Sequence, residues 1–95
     1  MPGYLIADIE VTNQDMFDEY RKVVPATIEK YGGEYIIRGG AAEALEGDWN
    51  PNRVVVLKFE SLERAKEWYN SDEYQSILSL RTGASNGNVI MVDAP

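Results

Sequence analysis

The chain has 95 residues, with no Cys and no His, and sixteen Asp and Glu outnumber nine Lys and Arg for a net charge of −7. Disulfides, thiolate nucleophiles and Cys-held metals are thereby excluded, and the commonest general base and transition-metal ligand are missing. The acidity favours solubility and leaves no basic footprint for nucleic acid or an anionic membrane surface.

The length sets the expectation of one domain over residues 1–95, burying a little over ~60% of its unfolded surface. The opening MPGYLIADIE lacks the basic start and long apolar run of a signal peptide. No apolar stretch approaches the length of a membrane span, so a cytoplasmic location is expected.

From Tyr4 to Val11 apolar and polar residues alternate. Leu5, Ala7, Ile9 and Val11 point one way and Tyr4, Ile6, Asp8 and Glu10 the other, the period of a half-buried strand. Asn13 is placed to cap a helix, with Asp15 in its first turn. Phe17, Tyr20, Val24, Ile28 and Tyr31 follow at helical spacing, and Gly32 can end the helix in the left-handed conformation. Pro25 lies inside this pattern and predicts a kink or a helix in two pieces.

Glu34–Arg38 reads as a second strand, with Tyr35 and Ile37 on one face and Ile36 and Arg38 on the other. Gly39 and Gly40 allow a bulge or bend, and 41–45 can extend the strand before the loop EGDWNPN. Arg53–Phe59 is the most β-prone stretch, with Val55, Leu57 and Phe59 on one face. Ser61 and Ser71 are placed to cap two further helices, the first with the stripe Leu62, Ala65 and Tyr69 beside Trp68. On the second, Tyr74, Ile77, Leu78 and Arg81 share a side. A GASNG loop over 83–87 precedes a last strand over 88–92.

The order strand, helix, strand, strand, helix pair, strand is the β-α-β-β-α-β pattern of the α+β ferredoxin-like fold: a four-stranded antiparallel sheet with helices on one face. Its other face would carry Tyr4, Ile6, Ile36, Val54 and Val56. A second copy packed sheet to sheet would cover so apolar a patch, and the expectation is a homodimer forming a dimeric α/β barrel. Asp8, Glu10, Arg38 and Lys58 fall on that same covered face.

The motifs YGGEYIIRGG, LEGDWNPNRVVVLKFES and AKEWYNSDEYQ, with a terminal Leu-Arg and a short strand, resemble the domain of unknown function 1330 family from about Tyr4 to Val92. Arg38, Trp49, Arg53, Trp68, Tyr69, Tyr74 and Arg81 are among the motif positions that carry over. Glu60 and Asp72 stand where the family often has Pro, which are local departures. The resemblance implies a dimeric α/β barrel and no established activity. By analogy of fold alone, related barrels include cofactor-free monooxygenases, haem enzymes and lactone isomerases, and a His-held haem is ruled out here.

These readings lead to a cleft on the barrel side of the sheet that binds or turns over a small anionic organic molecule, with no cofactor or metal. Arg38 and Arg53 would clamp the anion. Asp8 would act as proton acceptor, Trp49 would close the site, and Lys58, Tyr69 and Tyr74 would line it. The competing expectation is structural. Asp8, Lys58 and Arg38 would satisfy one another, the aromatics would be core, and the protein would be a non-catalytic binding or assembly module.

Overall fold

Alternation in the first strand does what its pattern demands. In the computed structural model, which describes all 95 residues, Leu5, Ala7 and Ile9 are buried while Tyr4, Ile6 and Asp8 are only half covered. The elements are β1 (Gly3–Val11), α1 (Gln14–Lys30), β2 (Glu34–Arg38), β3 (Arg53–Phe59), α2 (Leu62–Tyr69), α3 (Asp72–Gln75), α4 (Leu78–Thr82) and β4 (Ser85–Asp93). They build one antiparallel sheet in the order β2-β3-β1-β4. This is the four-stranded α+β arrangement expected from the order of elements.

The caps fall where the side chains can serve them. Asn13 accepts from the Met16 amide at 3.1 Å, Ser61 from Arg64 at 3.1 Å and Ser71 from Tyr74 at 3.2 Å, each satisfying an amide that a helix start leaves free. At its far end α1 closes with Gly33 donating to Ile28 and Gly32, at φ +75°, donating to Glu29. That is the paired bonding of a Schellman stop, and it needs a left-handed residue at Gly32.

Between sheet and helices, Leu5, Ala7, Ile9, Leu57 and Phe59 meet Phe17, Val24, Ile28, Ala65 and Trp68 in one core. The Trp68 indole donates to the Thr27 hydroxyl at 3.0 Å, tying α2 to α1. Arg64 crosses the same seam, donating to the Tyr31 carbonyl with its guanidinium 4.7 Å from the Tyr31 ring.

Four local expectations are corrected. The helix α1 is continuous through Pro25 and is not divided; the proline withholds one amide, which the sixteen other residues of α1 outweigh. Residues 41–45 do not extend β2, which ends at Arg38. The fourth strand begins at Ser85, earlier than the glycine at 87 suggests. A Cβ on Gly87 would lie 2.2 Å from the Asp8 carbonyl oxygen, so this glycine marks close strand approach rather than a turn.

The fourth correction governs the site. Tyr35 pairs with Leu57 and Ile37 with Val56, so Ile36 is an extra residue, a β-bulge. Beyond it the alternation of β2 is reversed, and Arg38 pairs with Val55 on the helix side of the sheet. Both Ile36 and Ile37 are left exposed, joining Ile90 and Val92 on the apolar outer face.

Candidate ligand-binding site

The separation of α1 from the β2–β3 half of the sheet leaves a cavity of about 70 Å³. Its floor is Leu5, Ala7, Ile9, Val55, Leu57 and Val89, and its roof includes Phe17, Tyr20, Val24 and Tyr74. The polar groups are Arg21, Arg38, Arg53, Arg81 and three tyrosines, with none of the sixteen acidic residues among them.

Each cation arrives by a traceable route. Arg53 opens β3 opposite Ile9 and so faces the helices. Its guanidinium carbon is 5.9 Å from the Phe17 ring centre. Gly39, at φ +73°, lets it lie against the backbone; a Cβ there would be 2.7 Å from Nη1. Arg38 is turned in by the bulge and stacks 4.3 Å above the Tyr35 ring. Arg81, from α4, donates through Nε to the Tyr74 hydroxyl at 3.3 Å, and Tyr74 and Tyr20 share a 2.9 Å hydroxyl contact. Arg21 and Arg38 are exposed, whereas Tyr20 and Tyr74 are 9% and 2% exposed, so Arg21 and Arg38 mark the open side and the tyrosine pair, with Arg81 against it, the closed one.

The charge is not balanced within the chain. The four ion pairs use Arg21, Lys22, Lys30 and Arg64, so Arg38, Arg53 and Arg81 have no carboxylate partner. Arg53 Nε is buried without any hydrogen-bond partner in the protein. Burial, reinforced by Arg21 and Arg38, holds the Arg53 pKa below its ordinary value, though a guanidinium remains charged at neutral pH. Burial and the neighbouring Tyr74 push Tyr20 far up, so it stays a neutral phenol; Tyr35 is raised by burial against the opposing pull of Arg38 and Arg53.

The expected charged cluster between β1, β2 and β3 does not form. Asp8 is on the outer face, where its carboxylate accepts from the Trp49 indole at 2.6 Å and the Asn52 amide at 2.9 Å. It fastens the 39–52 loop to the sheet. Lys58 is also on the outer face but pairs opposite Tyr4, four residues along β1 from Asp8, ~13 Å away. Arg38 and Arg53 are on the other side of the sheet. Trp49 stays 60% exposed beside Asp8 and does not reach the cavity. Tyr74 lines the cavity; Tyr69 is behind it, ring centres 5.5 Å apart.

Tyr20, Arg21, Tyr35 and Arg81 complete the lining without having been singled out as site residues. Arg81 carried a signal, its i+7 spacing from Tyr74, but the single helix expected there is divided into α3 and α4, and its role depends on the hydroxyl of Tyr20 from a distant element.

The profile of the family described as "Domain of unknown function (DUF1330)" matches residues 2–95. The chain belongs to this family. A search of curated proteins found no match to this DUF1330 chain. Among solved structures it is similar to a protein of unknown function from Rhodopseudomonas palustris, at 15% identity and TM-score 0.81, covering 99% of this chain and 82% of that one. A dimeric ferredoxin-like protein of unknown function from Jannaschia sp. CCS1 is similar at 15% identity and TM-score 0.70, covering 100% and 99%. SnoaB, a cofactor-independent oxygenase from Streptomyces nogalater, is similar at 9% identity and TM-score 0.57, covering 99% and 93%. At such identities the likeness is one of fold, and the DUF1330 chain is ferredoxin-like. No helix in it is long and apolar enough to cross a membrane.

Proposed function

We propose that the protein binds a small organic anion in the cavity between α1 and the sheet, not in a cleft on the barrel side. The observation that carries this is the set of three arginines, Arg38, Arg53 and Arg81, facing an apolar cavity without a carboxylate in a chain of net charge −7. Cations held away from plentiful carboxylates retain their affinity for an incoming one, and a guanidinium grips carboxylate oxygens in pairs. The apolar floor then suits a short hydrocarbon portion.

The reading concerns binding. The lining has no Asp, Glu, Lys or His to take a proton, and Asp8 is engaged on the opposite face. SnoaB shares the fold and is described as a cofactor-independent oxygenase, which makes turnover of a bound molecule without a cofactor worth assaying once a ligand is in hand.

Titration with pentanoate against its neutral isostere pentanamide, followed by amide NMR, tests the proposal. Pentanoate should perturb residues of α1 and β3 saturably and bind at least ~10-fold tighter than the amide. Arg53→Gln should remove that advantage. Equal binding of acid and amide, or an Arg53→Gln, Arg38→Gln double variant that binds pentanoate as wild type does, would overturn it.

The same proposal includes a homodimer through the outer face, where Ile6, Val54, Val56, Ile37 and Ile90 form an apolar surface and Ile90 is 55% exposed. Dimeric ferredoxin-like proteins from Jannaschia and Bacteroides fragilis support it. Light scattering at micromolar concentration should give twice the chain mass, falling to the monomer in Ile90→Lys; a monomeric wild type refutes it.

A further inference from the structure

The hydroxyl pair at the closed end of the cavity has one more proton than the protein can use. Arg81 Nε donates to the Tyr74 oxygen. If Tyr74 donates to Tyr20, the Tyr20 proton finds no acceptor in the protein; if Tyr20 donates to Tyr74, the Tyr74 proton is the one left. Either way one buried O–H is surplus, beside a cavity that both tyrosines line. The other polar side chains there are four arginines, donors with no acceptor capacity, and Tyr35, whose ring lies beneath Arg38 away from the pair. The site is therefore rich in donors and poor in acceptors at both ends.

The two donor groups flank one ring. Phe17 is 5.9 Å from the Arg53 guanidinium and 5.8 Å, centre to centre, from Tyr20. A ligand lying along Phe17 meets the arginines at the open end and the surplus hydroxyl at the closed end.

Resting on the anion-binding reading above, we infer that the ligand is a short-chain oxo acid, its carboxylate held by Arg38 and Arg53 and its carbonyl oxygen accepting from the Tyr20–Tyr74 pair. A carbonyl oxygen accepts without bringing a proton of its own. An alcohol or ammonium at that position brings donors into a place with few acceptors, and a buried unpaired donor is costly. The small volume excludes bulky acids and admits a chain of a few carbons whose carboxylate remains at the mouth.

The test is a matched series on the wild-type protein: 4-oxopentanoate, pentanoate, 4-hydroxypentanoate and the dicarboxylate glutarate. The oxo acid should bind at least ~10-fold tighter than the other three. Because the surplus proton belongs to the pair, Tyr20→Phe and Tyr74→Phe should each retain most of the preference, and in the double variant the oxo acid should bind no tighter than pentanoate. These changes keep both rings in place, and circular dichroism checks the fold. If pentanoate, the hydroxy acid or glutarate binds as tightly as the oxo acid, or if the double variant keeps the preference, the inference is wrong while anion binding stands. If none of the four binds, both readings fall.

Discussion

Two glycines with nearly the same backbone separate the cost of conformation from the cost of misplacing a charge. Gly32 has φ +75° and Gly39 φ +73°. Alanine at either position enters the left-handed region and should lose ~1–2 kcal/mol of stability. In a domain of this size that is roughly 4–8 °C of melting temperature per kcal/mol. Their surroundings differ. A Cβ at Gly32 meets nothing within 4 Å, whereas at Gly39 it would be 2.7 Å from Arg53 Nη1 and 2.8 Å from Cζ. Relief to ordinary contact moves the guanidinium by about 0.7 Å or more, enough to stretch a ~2.9 Å hydrogen bond to ~3.6 Å and effectively break it. A charge-assisted bond contributes about 1.5–3 kcal/mol, so Gly39→Ala should weaken pentanoate binding by ~10- to 100-fold. Gly32→Ala should leave it within ~2-fold, since it loses stability by the same backbone term alone. Urea unfolding followed by circular dichroism gives the first quantity, and NMR titration of the folded variants the second. If Gly39→Ala is destabilised yet binds as wild type, or if Gly32→Ala loses affinity equally, Arg53 is not the group that Gly39 makes room for.

Gly33→Ala should cost ~1–3 kcal/mol in urea unfolding, because its methyl would come 2.6 Å from the Phe59 ring and 2.8 Å from Ile28 in a filled core; a neutral effect would mean Phe59 can move aside. Asp8→Ala should lose ~1–2 kcal/mol and make Trp49 more accessible to acrylamide quenching, against a constant contribution from buried Trp68; unchanged quenching would mean the loop is held by something else. Lys30 and Glu73 join α1 to α3, raising the lysine pKa and lowering that of the glutamate through their hydrogen bond. The stabilisation from Glu73 is present above its unfolded pKa and lost as pH falls through its lowered folded one; that from Lys30 is present below its unfolded pKa and lost as pH rises through its raised folded one. Glu73→Gln should therefore flatten the acid limb of the stability–pH profile, and an unchanged limb would refute the coupling.

Much of the fold could be read directly. The period of two in β1 and β3 identified the buried faces, and the capping residues of α1, α2 and α3 were visible at their helix starts, because these features depend on neighbours a few residues away. The face of Arg53 was in principle legible too, since it continues the alternation of Val55, Leu57 and Phe59. Placing it with Asp8 and Arg38 in one cleft on the barrel side set that pleat aside. The bulge at Ile36 was not legible: Ile-Ile in a strand carries no bulge signal, and the glycines that suggested one lie beyond Arg38. Nor could the sequence show that Asp8 would meet Trp49 or that Tyr20 would meet Tyr74, separations of 41 and 54 residues set by the packed sheet and helices.

A strand is read in steps of two, and the extra residue at Ile36 acts on β2 as a frameshift acts on a message. Were β2 to pair with β3 without the bulge, both isoleucines keeping their places in the ladder, the frame would shift back by one. Arg38 would then face the outer side with Asp8, an isoleucine would turn inward, and the cavity would exchange a cation for a methyl-rich wall. Among chains of this kind, whether β2 takes the bulge therefore carries more information than the arginine itself. Two sequences that align at every motif but pair β2 with and without the bulge would share a fold and have opposite demands on what enters it.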